Sequence, residues 1–422
     1  MHSITRFAVI TTLAALVAAP AMNAQSGPTT LDTLRNPEIQ AMVARLDLEK
    51  YKATVKGLTQ FGDRRQGTAR NRAALDWIEA QLKSYGCTNT ERITYTYTTP
   101  PPRGGGAGRG AGRGAARGDS AGRGGRAAAG RGDWGSGGAR MRGVRTRTGV
   151  NMDSLKQTDP KLRALNSEPA KDGERQDVFC TKIGSTHPEE MYIVSGHMDG
   201  HGWGEAANDD GSGTAVVMEL ARIFSSPDVK TDRSIRFALW NNEETGLNGA
   251  RAFVMQRQAL QGQENPAGSG KYPEPKWLGM IQHDMMMFDH GMPRADGTMS
   301  PDQRPEADVN IEFAMTSKQS EGAQKLAWAF ATANDKYATD YPAQVGQHMT
   351  NTDSAPFEDI IPAISLRENE RGRDIGAGWD PQWHQVTDVY STYNDKDFRL
   401  GLNAAQTTLS AIATLTGATL KK

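Results

Sequence analysis

His197 and Asp199 stand two residues apart just beyond a short apolar run, MYIVSG at 191–196, that reads as a buried strand ending at glycine. On extended chain, residues two apart share a face, so the carboxylate can reach the imidazole. A carboxylate beside a histidine fixes its tautomer and raises its basicity, the arrangement found behind metal-binding imidazoles. Ten residues on, Asn208-Asp209-Asp210-Gly211 places two carboxylates in a turn ahead of a helix. Like charges that close repel unless a cation lies between them. Taken alone, Asp-Asp-Gly is also turn and helix-cap chemistry. Beside His-x-Asp at a strand end, a metal site is the stronger reading.

The elements around these residues alternate. Two helical stretches cover 37–85, followed by a strand over 92–99 and another over 174–184. After MYIVSG come a helix at 213–224, strand SIRFALWN at 234–241, a helix at 247–260 and strand WLGMIQHDM at 277–285. VNIEFAM at 309–315 and PAISLR at 362–367 read as strands, 319–337 and 397–415 as helices. This pattern predicts an α/β fold with a mixed, mostly parallel central sheet flanked by helices on both faces. Ligand sites in such sheets gather beyond the carboxyl ends of the strands. Those ends deliver His197 and Asp199, then Asp209 and Asp210, then Glu243-Glu244, then Asp284. Near the C-terminus, Trp383-His384 supplies a further imidazole, with His348 as its competitor. His201 sits in the glycine-rich loop beside the site, and His283 should point away from its neighbour Asp284. The four methionines at 280 and 285–287 read as core packing. One set of His, Asp, Glu, Asp and His suffices for two zinc ions bridged by a carboxylate. Two cysteines, Cys87 and Cys180, cannot build a thiolate site; they allow one intrachain bridge or two buried thiols.

These residues resemble the secreted co-catalytic zinc exopeptidases of the bacterial leucyl aminopeptidase type, a family that includes glutamate carboxypeptidases and glutaminyl cyclases. The likeness is strongest over 191–290, and FGDRRQGTARNRAALDWIEAQL resembles the family's N-terminal helix. The resemblance implies that His197 and Asp284 hold one zinc, Glu244 and His384 the other, and that Asp209 bridges them. It implies Glu243 as general base, Asp199 as the group orienting His197, and an unusual peptide bond between Asp209 and Asp210. The family's order also selects His384 over His348. The chain departs from the family at His384-Gln385, where His-Thr is common, and at Thr352-Asp353-Ser354-Ala355-Pro356-Phe357, where Ser-Asp-His precedes Pro-Phe. The implied activity is release of N-terminal residues from peptide substrates, with a carboxypeptidase or dipeptidase as the alternative on the same scaffold. A non-catalytic surface-binding protein has no use for Glu243.

Composition adds the address. MHSITRFAVITTLAALVAAPAMNAQ carries a positive residue, an apolar stretch and small residues, which marks a signal peptide over 1–24 and export to the periplasm or outside. No later stretch reaches the length of a membrane span. Residues 25–422 are then expected to form one exopeptidase domain. Formal net charge is zero, yet residues 101–150 hold eleven arginines against two aspartates and eighteen of 46 glycines. Such a segment cannot bury enough apolar surface to offset its ordering entropy, so it is expected to be a disordered insertion between two strands. With Trp134 as its one aromatic it serves base stacking poorly, and no specific nucleic-acid partner is expected. Oligomeric state has no signature in the sequence.

Overall fold

The computed structural model of the chain describes residues 35–100, 149–289, 309–347, 351–368 and 380–421. The leader, the basic insertion up to residue 148, His290, His348, Arg371 and Arg373 lie outside the described residues. In chain order the helices are α1 (Pro37–Val43), α2 (Leu48–Thr59), α3 (Ala69–Ser84), α4 (Pro160–Asn166), α5 (Gly211–Phe224), α6 (Asn248–Arg257), α7 (Ser320–Tyr337) and α8 (Asp395–Leu415). The strands are β1 (Thr90–Tyr97), β2 (Gly173–Lys182), β3 (His187–His197), β4 (Val229–Lys230), β5 (Arg233–Trp240), β6 (Lys276–His283), β7 (Val309–Phe313), β8 (Ala343–Gln347), β9 (Ala363–Arg367) and β10 (Thr419–Leu420).

Eight strands form one sheet in the order β1-β2-β5-β3-β6-β9-β7-β8, and β4 pairs with β10 apart from it. The centre, β5-β3-β6-β9, is parallel throughout, while β1, β2 and the β7–β9 pairing are antiparallel. The expected mixed, mostly parallel sheet with helices on both faces is what the chain forms. Alternation along β3 feeds two cores: Met191 and Ile193 pack on one face, Val194 on the other. The larger core takes residues from α1, α2, α3, α5, α7 and α8. The smaller lies under α6, where Trp240, Phe253, Trp277 and Phe357 interlock. Fully burying a Phe of this kind contributes about 1.5–3 kcal/mol.

Helix ends follow from local chemistry. The apolar stretch from residue 38 onward divides into α1 and α2 because the Asp47 side chain accepts the Lys50 N–H and starts a new helix. A capping box between Asn394 and Asp397 starts α8 two residues before the expected position. Helix α5 is buried on every side, as suits an apolar helix against the sheet centre. Strand β8 and helix α4 were not expected; both are short and lack a marked apolar period. Cys87, just past α3, is bridged to Cys180 of β2. Among the described residues no helix is long and apolar enough to cross a membrane.

Candidate metal centre

Because β3, β5 and β6 run parallel, their carboxyl ends open onto one edge of the sheet. His197 is the last residue of β3, and Asp284 follows the last residue of β6. Asp209 and Asp210, joined by a cis peptide bond, precede α5. The Asp210 carboxylate caps α5 through the Gly213 N–H and also accepts the backbone N–H groups of His197 and Met285. One side chain thus ties helix start, β3 end and β6 end together. Asp388 does the same from the C-terminal side: its carboxylate accepts the N–H groups of Asn208 at 2.8 Å and Asp209 at 3.2 Å.

The side chains gather into two groups. His197, Asp209 and Asp284 offer nitrogen and oxygen atoms within 4.8 Å of one another, and so do His201, Glu244 and His384. Asp209 joins the groups: its Oδ1 lies 3.3 Å from His197 Nε2 and its Oδ2 2.8 Å from His384 Nε2. Glu244 Oε2 lies 2.9 Å from His384 Nε2 and 3.1 Å from His201 Nε2. Asp284 Oδ1 stands 3.9 Å from His197 Nε2, and its Oδ2 pairs with Arg367 at 3.1 Å. All five residues singled out as ligands therefore meet at this edge, and His201 meets them. His283 points away as expected, bonded to the Ser195 carbonyl and the Thr408 hydroxyl.

Two local details differ from the sequence reading. The His197 ring turns Nδ1 to the backbone carbonyl of Asp199 at 3.0 Å, with the carboxylate farther off at 3.9 Å. The Asp199 carboxylate instead accepts the Glu243 N–H at 2.9 Å. The chain stops being extended at His197, so the simple two-residue repeat no longer governs it. Neighbouring residues on extended chain point to opposite sides, but Glu243 and Glu244 are not on extended chain. Strand β5 ends at Trp240, Asn242 has φ 65°, and the Glu243 carbonyl accepts the N–H groups of Gly246 and Leu247 in a turn. Arg367, the last residue of β9, is 1% exposed and engaged by Asp284 and Glu312.

The electrostatics are those of crowded acids. Burial pushes the Glu243 carboxyl well above the usual range, and Glu244, Asp353 and Asp284 push it further against the pull of His197. Burial likewise raises Asp199 to about 6 and Asp388 to about 7. Burial would raise Glu244 too, but His201 and His384 outweigh it and hold the group at about 2. Asp284 is held low against its burial by Arg367 and His197. Burial lowers His384 less than Glu244 and Asp209 raise it, leaving it at about 9. Among the described residues, buried Glu244 Oε1 and His384 Nδ1 have no hydrogen-bond partner, and neither has either carboxylate oxygen of Asp353.

The segment leading out of the basic insertion reaches this edge as well. Asn151 donates its backbone N–H to the His384 carbonyl and its amide to the Gly202 carbonyl. Gln157 holds the Trp203 and Val386 carbonyls, and Asn166 the Gly204 carbonyl. Arg64 binds the carbonyls of Met198, Glu205 and Ala206 from below. No periodicity marks these contacts in the sequence; the only signal is the Gly-His-Gly-Trp-Gly run at 200–204, which lets neighbouring backbone approach closely.

A parallel-centred sheet with imidazoles and carboxylates at its strand ends defines an α/β protein with two groups of candidate metal donors at one edge. The profile of peptidase family M28 matches residues 177–407, more than half the chain and every residue of both groups. The chain belongs to peptidase family M28. A 93-residue stretch is 33% identical to Carboxypeptidase Q of Xenopus laevis, covering 22% of this chain and 19% of that protein. A 114-residue stretch is 32% identical to Aminopeptidase YwaD of Bacillus subtilis (strain 168), covering 26% and 23%. The chain thus spans about a fifth to a quarter of the length of these curated relatives. Among solved structures, the aminopeptidase from Aneurinibacillus sp. strain AM-1 superposes with a TM-score of 0.55 at 18% identity, over 91% of this chain and 97% of that one. BSAP, a zinc aminopeptidase from Bacillus subtilis, does so with a TM-score of 0.55 at 15% identity, over 89% and 96%. At these identities the likeness is one of fold.

Proposed function

We propose that the protein is an exported zinc exopeptidase that removes N-terminal residues from peptides, with Glu243 as its general base. The observation that carries this reading is Asp209, whose two oxygens each face a different histidine, within a set of groups that fits two cations. The residues fit zinc on their own chemistry. Imidazole nitrogens and carboxylate oxygens are zinc donors, and one of these buried atoms, Glu244 Oε1, has no hydrogen-bond partner among the described residues. His197, Asp209 and Asp284 would hold one ion; Asp209, Glu244 and His384 the other. Bound zinc supplies Lewis acidity, which lowers the pKa of water and polarises a carbonyl.

The rest falls to the chain's own groups. Glu243, oriented by the bond from its N–H to Asp199, accepts a proton from the attacking water and hands it to the leaving amine. Burial and neighbouring acids raise its affinity for protons, the direction that favours accepting one. Arg367 keeps Asp284 ionised. The acid surplus, with Arg367 already engaged, favours a substrate's α-ammonium group over its carboxylate. The Cys87–Cys180 bridge supports export, since such bridges persist in oxidising compartments.

Peptides blocked at one end test the polarity. N-acetylation should abolish cleavage, and C-terminal amidation should leave it intact. The reverse result would make the enzyme a carboxypeptidase, the reading that the stretch shared with Carboxypeptidase Q favours.

A further inference from the structure

We propose that His201 is an additional metal ligand, so that the two cation positions are unequal. One is ringed by His201, Glu244, His384 and the shared Asp209; the other by His197, Asp284 and the shared Asp209. This inference rests on the two-zinc reading above.

The geometry points there from three directions. His201 Nε2 lies 3.1 Å from Glu244 Oε2, the same oxygen that His384 Nε2 approaches at 2.9 Å. The two imidazoles meet edge to face, with ring centroids 4.0 Å apart and planes at 90°. That arrangement turns both nitrogens toward one point without stacking the rings. Although the His201 side chain is 18% exposed, its Nε2 is buried and faces the Glu244 carboxylate. A histidine that merely rimmed the pocket would turn that nitrogen to water.

The loop that carries His201 is built to hold it. Gly202 has φ +99°, and a Cβ there would lie 2.5 Å from the His384 backbone, so only glycine brings the two loops together. Asn151 bridges them, bonding the carbonyls of Gly202 and His384. Each group counts three residues among the described ones, and Asp209 of the His197 group also reaches His384 Nε2 at 2.8 Å, which brings a fourth donor to the His201 side. Four protein donors close a zinc shell, whereas three leave a place for water or substrate. The His201 side would therefore retain its ion firmly, and the His197 side would present the open face.

The test is to dialyse the zinc-loaded protein against a graded chelator series and count metal by elemental analysis. The wild type should release its two ions in two steps, the second far harder to remove. In His201→Ala the harder step should weaken by at least about 100-fold, more than second-shell losses cost, and the easier step should stay put. His201→Asp, which restores a donor oxygen, should recover part of that loss, while His201→Phe should not. Circular dichroism on each variant shows that it is folded. Unchanged release steps in His201→Ala would overturn the proposal and leave the two-zinc reading standing. Recovery by His201→Phe would mean that His201 acts by packing, and would also overturn it. A wild type that binds fewer than two ions would remove the reading beneath it.

Discussion

Glu243 and Glu244 are adjacent in the chain and face different tasks. Glu244 is drawn low by two histidines, whereas Glu243 is pushed up by burial among acids. The turn after β5 sets this difference, because it aims one carboxylate at His201 and His384 and hangs the other from Asp199 by its own N–H. Replacing Glu243 by Gln keeps size and removes the proton acceptor. Turnover should fall on the order of 10² to 10⁴, the usual worth of a positioned general base, with zinc content unchanged. Loss of zinc from Glu243→Gln would exchange the roles of the two glutamates.

At the scale of elements, strands bring the proposed ligands near one another and loops close around them. The chain between β1 and β2 shows the division. Its Gly/Arg-rich part has no apolar pattern, while the part from Asn151 to Asn166 grips the two loops at 202–204 and 384–386 beside the candidate metal edge. Replacing 103–140 by a short Gly/Ser linker should leave melting temperature and kcat/KM largely unchanged. Asn151→Ala removes three side-chain hydrogen bonds, two donated to the carbonyls of Gly202 and Asp153 and one accepted from the Asp153 N–H. At about 1 kcal/mol each, that is enough to lower kcat/KM by roughly tenfold if the loops lose their register. Steady-state kinetics on both proteins separates the two parts. A linker variant as damaged as Asn151→Ala would mean that the basic stretch also builds the pocket.

At the scale of the molecule, the Cys87–Cys180 bridge joins the end of α3 to β2, across a sequence separation of 93 residues that includes the basic insertion. Such a loop is costly to close in the unfolded chain, so the bridge acts where the sequence is least able to hold itself together. A Cys87→Ser, Cys180→Ser double variant should be less stable by about 2–5 kcal/mol, read from denaturant midpoints under oxidising conditions. An unchanged midpoint would mean that the bridge contributes nothing to the folded chain.

What the sequence by itself determined is what local pattern controls. An apolar run ending in Gly-His-Met-Asp announces a strand with a candidate ligand at its tip. Asp-Asp-Gly announces a capped helix, and the alternation of elements announces a parallel-centred sheet with its site at the carboxyl ends. Each signal lies within a dozen residues, where hydrophobic period and capping chemistry act. Only the tertiary structure decided the rest: that Asp388 clamps Asn208 and Asp209, that Arg367 is engaged by Asp284, that Asn151 bridges two loops, and that His201 faces the oxygen His384 faces. Those partners lie tens to hundreds of residues apart. Their meeting depends on strand order and on where irregular loops close, and no local periodicity encodes either.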